Sequence, residues 1–185
     1  KPLGCYGDGG AVFTDDDQVA DLCRSLCVHG KGPGGKYDNV RVGMNSRLDN
    51  LQAGILLPKL KALGDHEIDA RQTVAKRDSE AFAGKFVTPY VAEGTVSAWA
   101  QYALLAESTA QRDHIIAHLN EKHIPNMVYY PTPQHALPVF RDEPHYSEQF
   151  TNANDYCART FSLPMYPYLT AEEQQEIISA VLEAL

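Results

Sequence analysis

Arg47 carries the plainest chemical signature in the chain. Its planar fork of N–H donors suits a carboxylate or a diphosphate. It stands in the first turn of an expected helix, where the positive end of the dipole disfavours a cation. An anion ligand and an ordinary exposed arginine both fit, and that misfit favours the ligand. Two residues earlier, Asn45 offers a neutral amide donor at the helix start. The alternative is a turn asparagine ahead of Ser46. His29 precedes a glycine-rich stretch, residues 30–44, that carries Lys31, Lys36, Tyr37 and Arg41 and reads as a flexible basic loop. His114 and His118 stand four apart on an expected helix, as metal ligands can. No third ligand is apparent, so a polar helix face is the simpler reading. Cys23 and Cys27 are two ligands at most, and small core residues fit them better.

Several elements must position these groups. Ala11-Val12-Phe13 predicts a short buried strand after the turn Gly7-Asp8-Gly9-Gly10. Thr14 is expected to cap a helix with Asp15, Asp16 and Asp17 in its first turn and Val19, Leu22 and Leu26 as its apolar stripe, ended by His29-Gly30. Ser46, with Asp49 as a weak capping-box partner, is expected to open a second helix, kinked at Pro58 and stopped by Gly64. Asp65 should start a third, more charged helix running to about Gly84. Past Pro89 a strand over 96–106 and a helix capped by Ser108 and Gln111, with Ile115, Ile116 and Leu119 inward, are predicted. Next come a strand over 124–129, an irregular four-proline loop over 131–146 and a helix near 147–160. Thr170 and Glu173 should cap a final helix with Ile177, Ile178, Val181, Leu182 and Leu185 on one face. Trp99 is expected in the core or at a domain interface. The alternation of helices and strands places the chain in the α/β or α+β class, and a composition break near 64–90 suggests two domains joined by a helix.

At 185 residues, 44% hydrophobic and 22% charged, the composition is that of an ordinary globular protein. A net charge of -8 repels nucleic acid, and no apolar run is long enough for a membrane span. Four cysteines without CxxC pairing favour a reducing, cytoplasmic setting. The opening Lys1-Pro2-Leu3-Gly4 lacks a polar lead-in and is expected to lie inside a longer protein.

Three stretches recur in a specific order: Lys1-Pro-Leu-Gly-Cys-Tyr-Gly-Asp-Gly-Gly-Ala11, Gly43-Met-Asn-Ser-Arg-Leu-Asp49 with Gln52-Ala53, and Ser162-Leu-Pro-Met-Tyr-Pro-Tyr168. In this spacing the chain resembles the DegT/DnrJ/EryC1/StrS sugar aminotransferases over essentially its whole length. The resemblance implies a fold-type I aminotransferase. Residues 1–63 would end the large domain that binds pyridoxal 5'-phosphate (PLP), and residues 64–185 would form a linker helix and small domain. It implies that Lys1 is the catalytic lysine that carries PLP and then moves a proton. It also implies that Asn45 reaches the PLP phosphate of a partner subunit in a homodimer. Arg47, His29, Tyr130 and His135 would serve the substrate, with Lys31, Lys36, Tyr37 and Arg41 at the nucleotide. The implied reaction passes an amino group, from glutamate in most of the family, to a keto sugar on a UDP or dTDP carrier. Some members are sugar dehydratases with His at the lysine position, and Lys1 argues against that activity. Taken alone, 185 residues would hold half of the site, so a binding module without catalysis is the remaining alternative, and the isolated chain is expected to bind PLP poorly.

Overall fold

The computed structural model describes residues 1–144 and 150–185. Residues 3–63 with Lys1 form one unit, and residues 64–185 form most of a second.

In the first unit, α1 (Asp17–Leu26) starts two residues later than its acidic run suggests. Asp16 is the N-cap, and its Oδ1 accepts from the amides of Gln18 (2.8 Å) and Val19 (3.1 Å). Thr14 sits outside, its hydroxyl accepting from the Asp16 amide. A carboxylate two residues before the helical amides outcompetes the hydroxyl as cap. The helix ends at Leu26, earlier than the predicted His29-Gly30 stop. The predicted strand at Ala11-Val12-Phe13 does not form. Phe13 is 92% exposed, because no strand among the described residues pairs with the segment. In α2 (Asn50–Ala62) the N-cap is Asp49, without a side-chain cap, so Ser46 does not open the helix. Pro58 lies inside α2. Leu51, Leu57 and Leu60 are exposed, and no residue of α2 is buried.

Gly64 does not stop the helical path. A π-helical turn, Leu63–Glu67, carries it into α3 (Ile68–Phe82). Gly84, with φ +73, follows the end of α3.

The second unit holds the hydrophobic core: Phe82, Tyr102, Leu104, Ile115, Leu119, Phe161 and Val181 are fully buried there. Its sheet pairs β1 (Tyr102–Leu105) with β2 (Thr160–Leu163), antiparallel, Leu104 opposite Phe161. Tyr102, Leu104, Phe161 and Leu163 share the core face, as the two-residue period of strands requires. The strand predicted over 96–106 shrinks to β1, since Trp99 at φ +47 turns the chain before it. The strand predicted over 124–129 is reduced to a single bridge, Met127 with Ser162. β2 itself is not predicted: four residues after a helix carry too little pattern to be read.

The two best local signals hold. In α4 (Thr109–Glu121), the Ser108 hydroxyl accepts from the Gln111 amide, while the Gln111 side chain accepts from Glu107 N–H. In α6 (Ala171–Glu183), Thr170 and Glu173 close a full capping box. Ile177, Ile178 and Val181 are buried; Leu185 is exposed. α5 (Thr151–Arg159) lies within the helix expected near 147–160. Residues 147–149 of that helix and 145–146 of the proline loop lie outside the described residues. The rest of the loop contains two 3-10 turns, Gln134–Ala136 and Pro138–Phe140.

Buried polar groups knit this unit. Gln174 on α6 donates through Nε2 to the Val74 carbonyl and to Asp78 Oδ1, both at 2.8 Å. Burial raises the Asp78 carboxyl to about 6, with the Gln174 bond opposing. Tyr102, hydrogen-bonded to Ser79 at 2.9 Å, is raised to about 12, chiefly by burial. Arg71, 7% exposed, donates to the carbonyls of Trp99 (2.8 Å) and Met165 (3.3 Å) and so holds the Ser162–Tyr168 motif against α3. Burial lowers its pKa. The Trp99 indole donates to Gln72.

Candidate functional site

The C-terminal end of α1 sets the position of Asn45. Met44 N–H donates to Leu26 O (2.9 Å), His29 N–H to Met44 O (2.9 Å) and Ser46 N–H to Cys27 O (3.0 Å). Val28 and Asn45 pair as an antiparallel bridge. Two glycines permit this approach. A Cβ at Gly43 would lie 2.2 Å from the Gly30 nitrogen, and one at Gly30 (φ +71) 1.8 Å from the Arg41 carbonyl oxygen.

The intervening loop is laced, not slack. Lys31 bridges Asn39, Gly32 N–H donates to Asp38 O at 2.7 Å, and Val40 N–H donates to Gly30 O at 3.0 Å. Gly34 N–H donates to Asp38 Oδ2 and the Asn39 amide to His29 O. Hydrogen bonding from Asp38 and Asn39 thus replaces the flexible loop that composition alone suggested.

Gln52 on α2 ties down the first motif. Its amide donates to Tyr6 O, and its Oε1 accepts from Cys5 Sγ at 3.5 Å. Gly9 lies against Cys5, where an added Cβ would come within 2.7 Å of the sulfur. The first two motifs then meet at a cleft of about 400 Å³ lined by Asp8, Gly9, Gly10, Asn45, Arg47 and their neighbours. Arg47 Nε donates to Asn45 Oδ1 at 2.9 Å. With its oxygen accepting from Arg47, the Asn45 amide has N–H donors left to offer in a cleft that also holds a guanidinium and a glycine backbone. That donor set fits an oxyanion, with the Asp8 carboxylate as the one opposing charge.

The other candidates lie elsewhere. Lys1 is exposed and outside that cleft's lining. His29 is exposed at φ +59, and its carbonyl holds Asn39. Lys31 and Arg41 line a second cleft of the first unit, with Arg24 and Ser25. Lys36 lies over the Tyr37 ring at 5.2 Å, both exposed. In the second unit, Tyr130 lines an apolar cleft of about 540 Å³ with Tyr129, Pro133, Leu137, Tyr156 and Cys157. His135 packs its ring on Phe150, 4.5 Å between centroids. His118 lies 3.6 Å from Glu183. Among the described residues no cluster of His, Cys, Asp or Glu could hold a metal, and no helix is long and apolar enough to cross a membrane.

Sequence reasoning missed the Gln52 tether, the Gly30–Gly43 contact and Ser25. For Ser25 a signal existed: a hydroxyl beside Leu22 and Leu26 on a short helix.

The family model described as the DegT/DnrJ/EryC1/StrS aminotransferase family matches residues 1–182. A UDP-2-acetamido-2-deoxy-3-oxo-D-glucuronate aminotransferase of Pseudomonas aeruginosa is 38% identical over 182 residues, covering 98% of this chain and 48% of the relative. A dTDP-3-amino-3,4,6-trideoxy-alpha-D-glucose transaminase of Streptomyces venezuelae is 33% identical, covering 99% of this chain and 47% of the relative. The crystal structure of a DegT DnrJ EryC1 StrS aminotransferase from Brucella abortus superposes with a TM-score of 0.89 at 44% identity, over 99% of this chain and 48% of that one. The chain spans about half the length of the relatives it matches, and its fold is that of the C-terminal portion of fold-type I aminotransferases.

Proposed function

The chain belongs to the DegT/DnrJ/EryC1/StrS aminotransferase family, and from that premise we propose that its protein is a PLP-dependent sugar aminotransferase. It moves an amino group from an amino-acid donor, glutamate, to a keto sugar on a UDP or dTDP carrier. The named UDP- and dTDP-sugar relatives support this, and none of those described is a dehydratase. The observation that carries it is the cleft where Asn45 and Arg47 meet Gly9 and Gly10. Its amide, guanidinium and glycine donors suit a phosphate, and the missing Cβ atoms let such a group come close to the backbone.

In this reading Lys1 and Asn45 hold PLP, which supplies the electron sink that lets an amine pass between two carbonyl carbons. Lys1 Nζ would anchor the group and, once free, would take a proton from one carbon and return it to the carbon on the other side of the transferred nitrogen. Arg47 orients the Asn45 amide and offers its remaining N–H groups to an anion. His29, Tyr130 and His135 belong to the substrate side. Residues 1–63 end the large domain and residues 64–185 form the linker and small domain. The exposed Phe13, Val42, Leu51 and Leu57 suit a surface covered in a homodimer. Four free cysteines suit the cytoplasm.

The test is glutamate-dependent amination of UDP- and dTDP-linked keto sugars by the intact protein, read by product mass. Amine formation is expected. Loss of water from the sugar, without nitrogen gained, would refute the assignment.

A further inference from the structure

Gln52 belongs to the second sequence motif, yet no step of the proposed reaction uses it. It stands in the first turn of α2, five residues after Arg47, and is partly buried. Both ends of its amide reach one segment. Nε2 donates to Tyr6 O, and Oε1 accepts from Cys5 Sγ at 3.5 Å. Lys59, about two turns along the same face of α2, places its Nζ 5.7 Å from the Tyr6 ring centroid. α2 thus holds Cys5 and Tyr6 at two points.

The segment is shaped to be held there. Cys5 Sγ also lies 3.8 Å from Asp8 O, so residues 5–8 close on themselves. Gly7, at φ +105, turns the chain over the Gln52 amide, where an added Cβ would stand 3.4 Å from Nε2. In one direction the segment continues into Gly9 and Gly10 of the Asn45–Arg47 cleft. In the other, Lys1 lies four residues before Cys5. The opposite wall of that cleft, Asn45 to Leu48, leads directly into α2. One side chain therefore ties the two walls together.

We propose that Gln52 is a positioning residue that sets where the chain from Lys1 to Gly10 stands against Asn45 and Arg47. It does not line the cleft and acts through the Cys5–Tyr6 backbone. A neutral amide suits this role because it donates to a carbonyl and accepts from a thiol at once. A carboxylate lacks the donor, and an ammonium lacks the acceptor. Small displacements of a reacting group are costly, so a tether this close to Lys1 acts on the chemistry without touching it. The inference rests on Lys1 and Asn45 holding PLP.

The experiment compares Gln52→Leu and Gln52→Glu with the parent in the intact protein. Leucine keeps the helix propensity and removes both bonds; glutamate keeps an oxygen for Cys5 and loses the N–H for Tyr6. Iodoacetamide labelling of the PLP-free protein, read on the peptide containing Cys5, should be about tenfold faster in Gln52→Leu, through loss of the thiol's hydrogen bond, and no faster in Gln52→Glu. With PLP restored, both variants should release it on dialysis about tenfold faster. The pH titration of the lysine-bound PLP absorbance should also move, while the urea midpoint stays at the parent's. Unchanged Cys5 labelling in Gln52→Leu, or parent-like PLP release and titration in both variants, overturns the proposal. Loss of PLP matched by a fallen urea midpoint in both variants marks Gln52 as structural only and overturns it too. A parent protein that takes up no PLP refutes the cofactor reading on which this rests, a result distinct from the others.

Discussion

Replacing Asp78 by Asn should make the protein more stable above neutral pH and leave it nearly unchanged in acid. Asp78 is 2% exposed. Its ordinary value is 3.8, and burial brings it to about 6 in the fold. Between those pH values the unfolded chain has released the proton while the folded chain still holds it. Stability therefore falls as pH rises through that window, by about 1.4 kcal/mol per pH unit, or about 3 kcal/mol in all. Asparagine keeps the acceptor for Gln174 Nε2 and never ionises. The difference between variant and parent should thus be small at pH 4 and reach about 3 kcal/mol in favour of the variant at pH 8. Other titrating groups cancel in that difference. Urea denaturation at both pH values, followed by a probe of the Trp99 region, measures it. Parallel pH profiles, or a variant less stable at pH 8, would refute the burial account of Asp78.

Gly30→Ala should cost at least about 2 kcal/mol and weaken PLP retention, because φ +71 and the Arg41 carbonyl both exclude a Cβ. Gly10→Ala, with nothing within 4 Å, should leave stability unchanged by the same denaturation assay. Thr170→Ala should cost about 1 kcal/mol through loss of the α6 cap. Arg71→Ala should cost about 3 kcal/mol, since a buried carbonyl and a part-buried one lose their donor; a loss below 1 kcal/mol would mean that water replaces the guanidinium. Asn45→Ala should lower PLP retention on dialysis. Dimers mixed from Asn45→Ala and Lys1→Ala chains should regain about one working site if Asn45 acts across the interface.

Signals contained within a few residues were legible. The Thr170–Glu173 box and the Ser108 cap specify their helices from local hydrogen bonds, and the spacing of Ile115 and Leu119 identifies the buried face of α4. Short extended segments were not legible. Ala11–Phe13 and residues 124–129 have the composition of strands, but a strand exists only when a neighbour supplies its hydrogen bonds, and that neighbour is invisible in local sequence. Gln174 could have been anticipated, as a polar residue within the apolar stripe of Ile177, Ile178 and Val181. Asn45 and Arg47 were named from their own motif, but their meeting with Gly9 and Gly10, which read as turn residues, depends on a contact between segments far apart in sequence. The Gly30–Gly43 contact and the gathering of Arg24 with Lys31 and Arg41 were not legible either, since each depends on how the loop folds back on α1.

Borohydride reduction of the intact protein with PLP, followed by peptide mass mapping, reveals whether Lys1 carries the cofactor. Reduction fixes the cofactor permanently to whichever amine carries it. Cofactor mass is expected on the peptide containing Lys1, and none after Lys1→Ala. Cofactor mass on Lys31, Lys36 or any other lysine, with Lys1 unmodified, would contradict that role of Lys1.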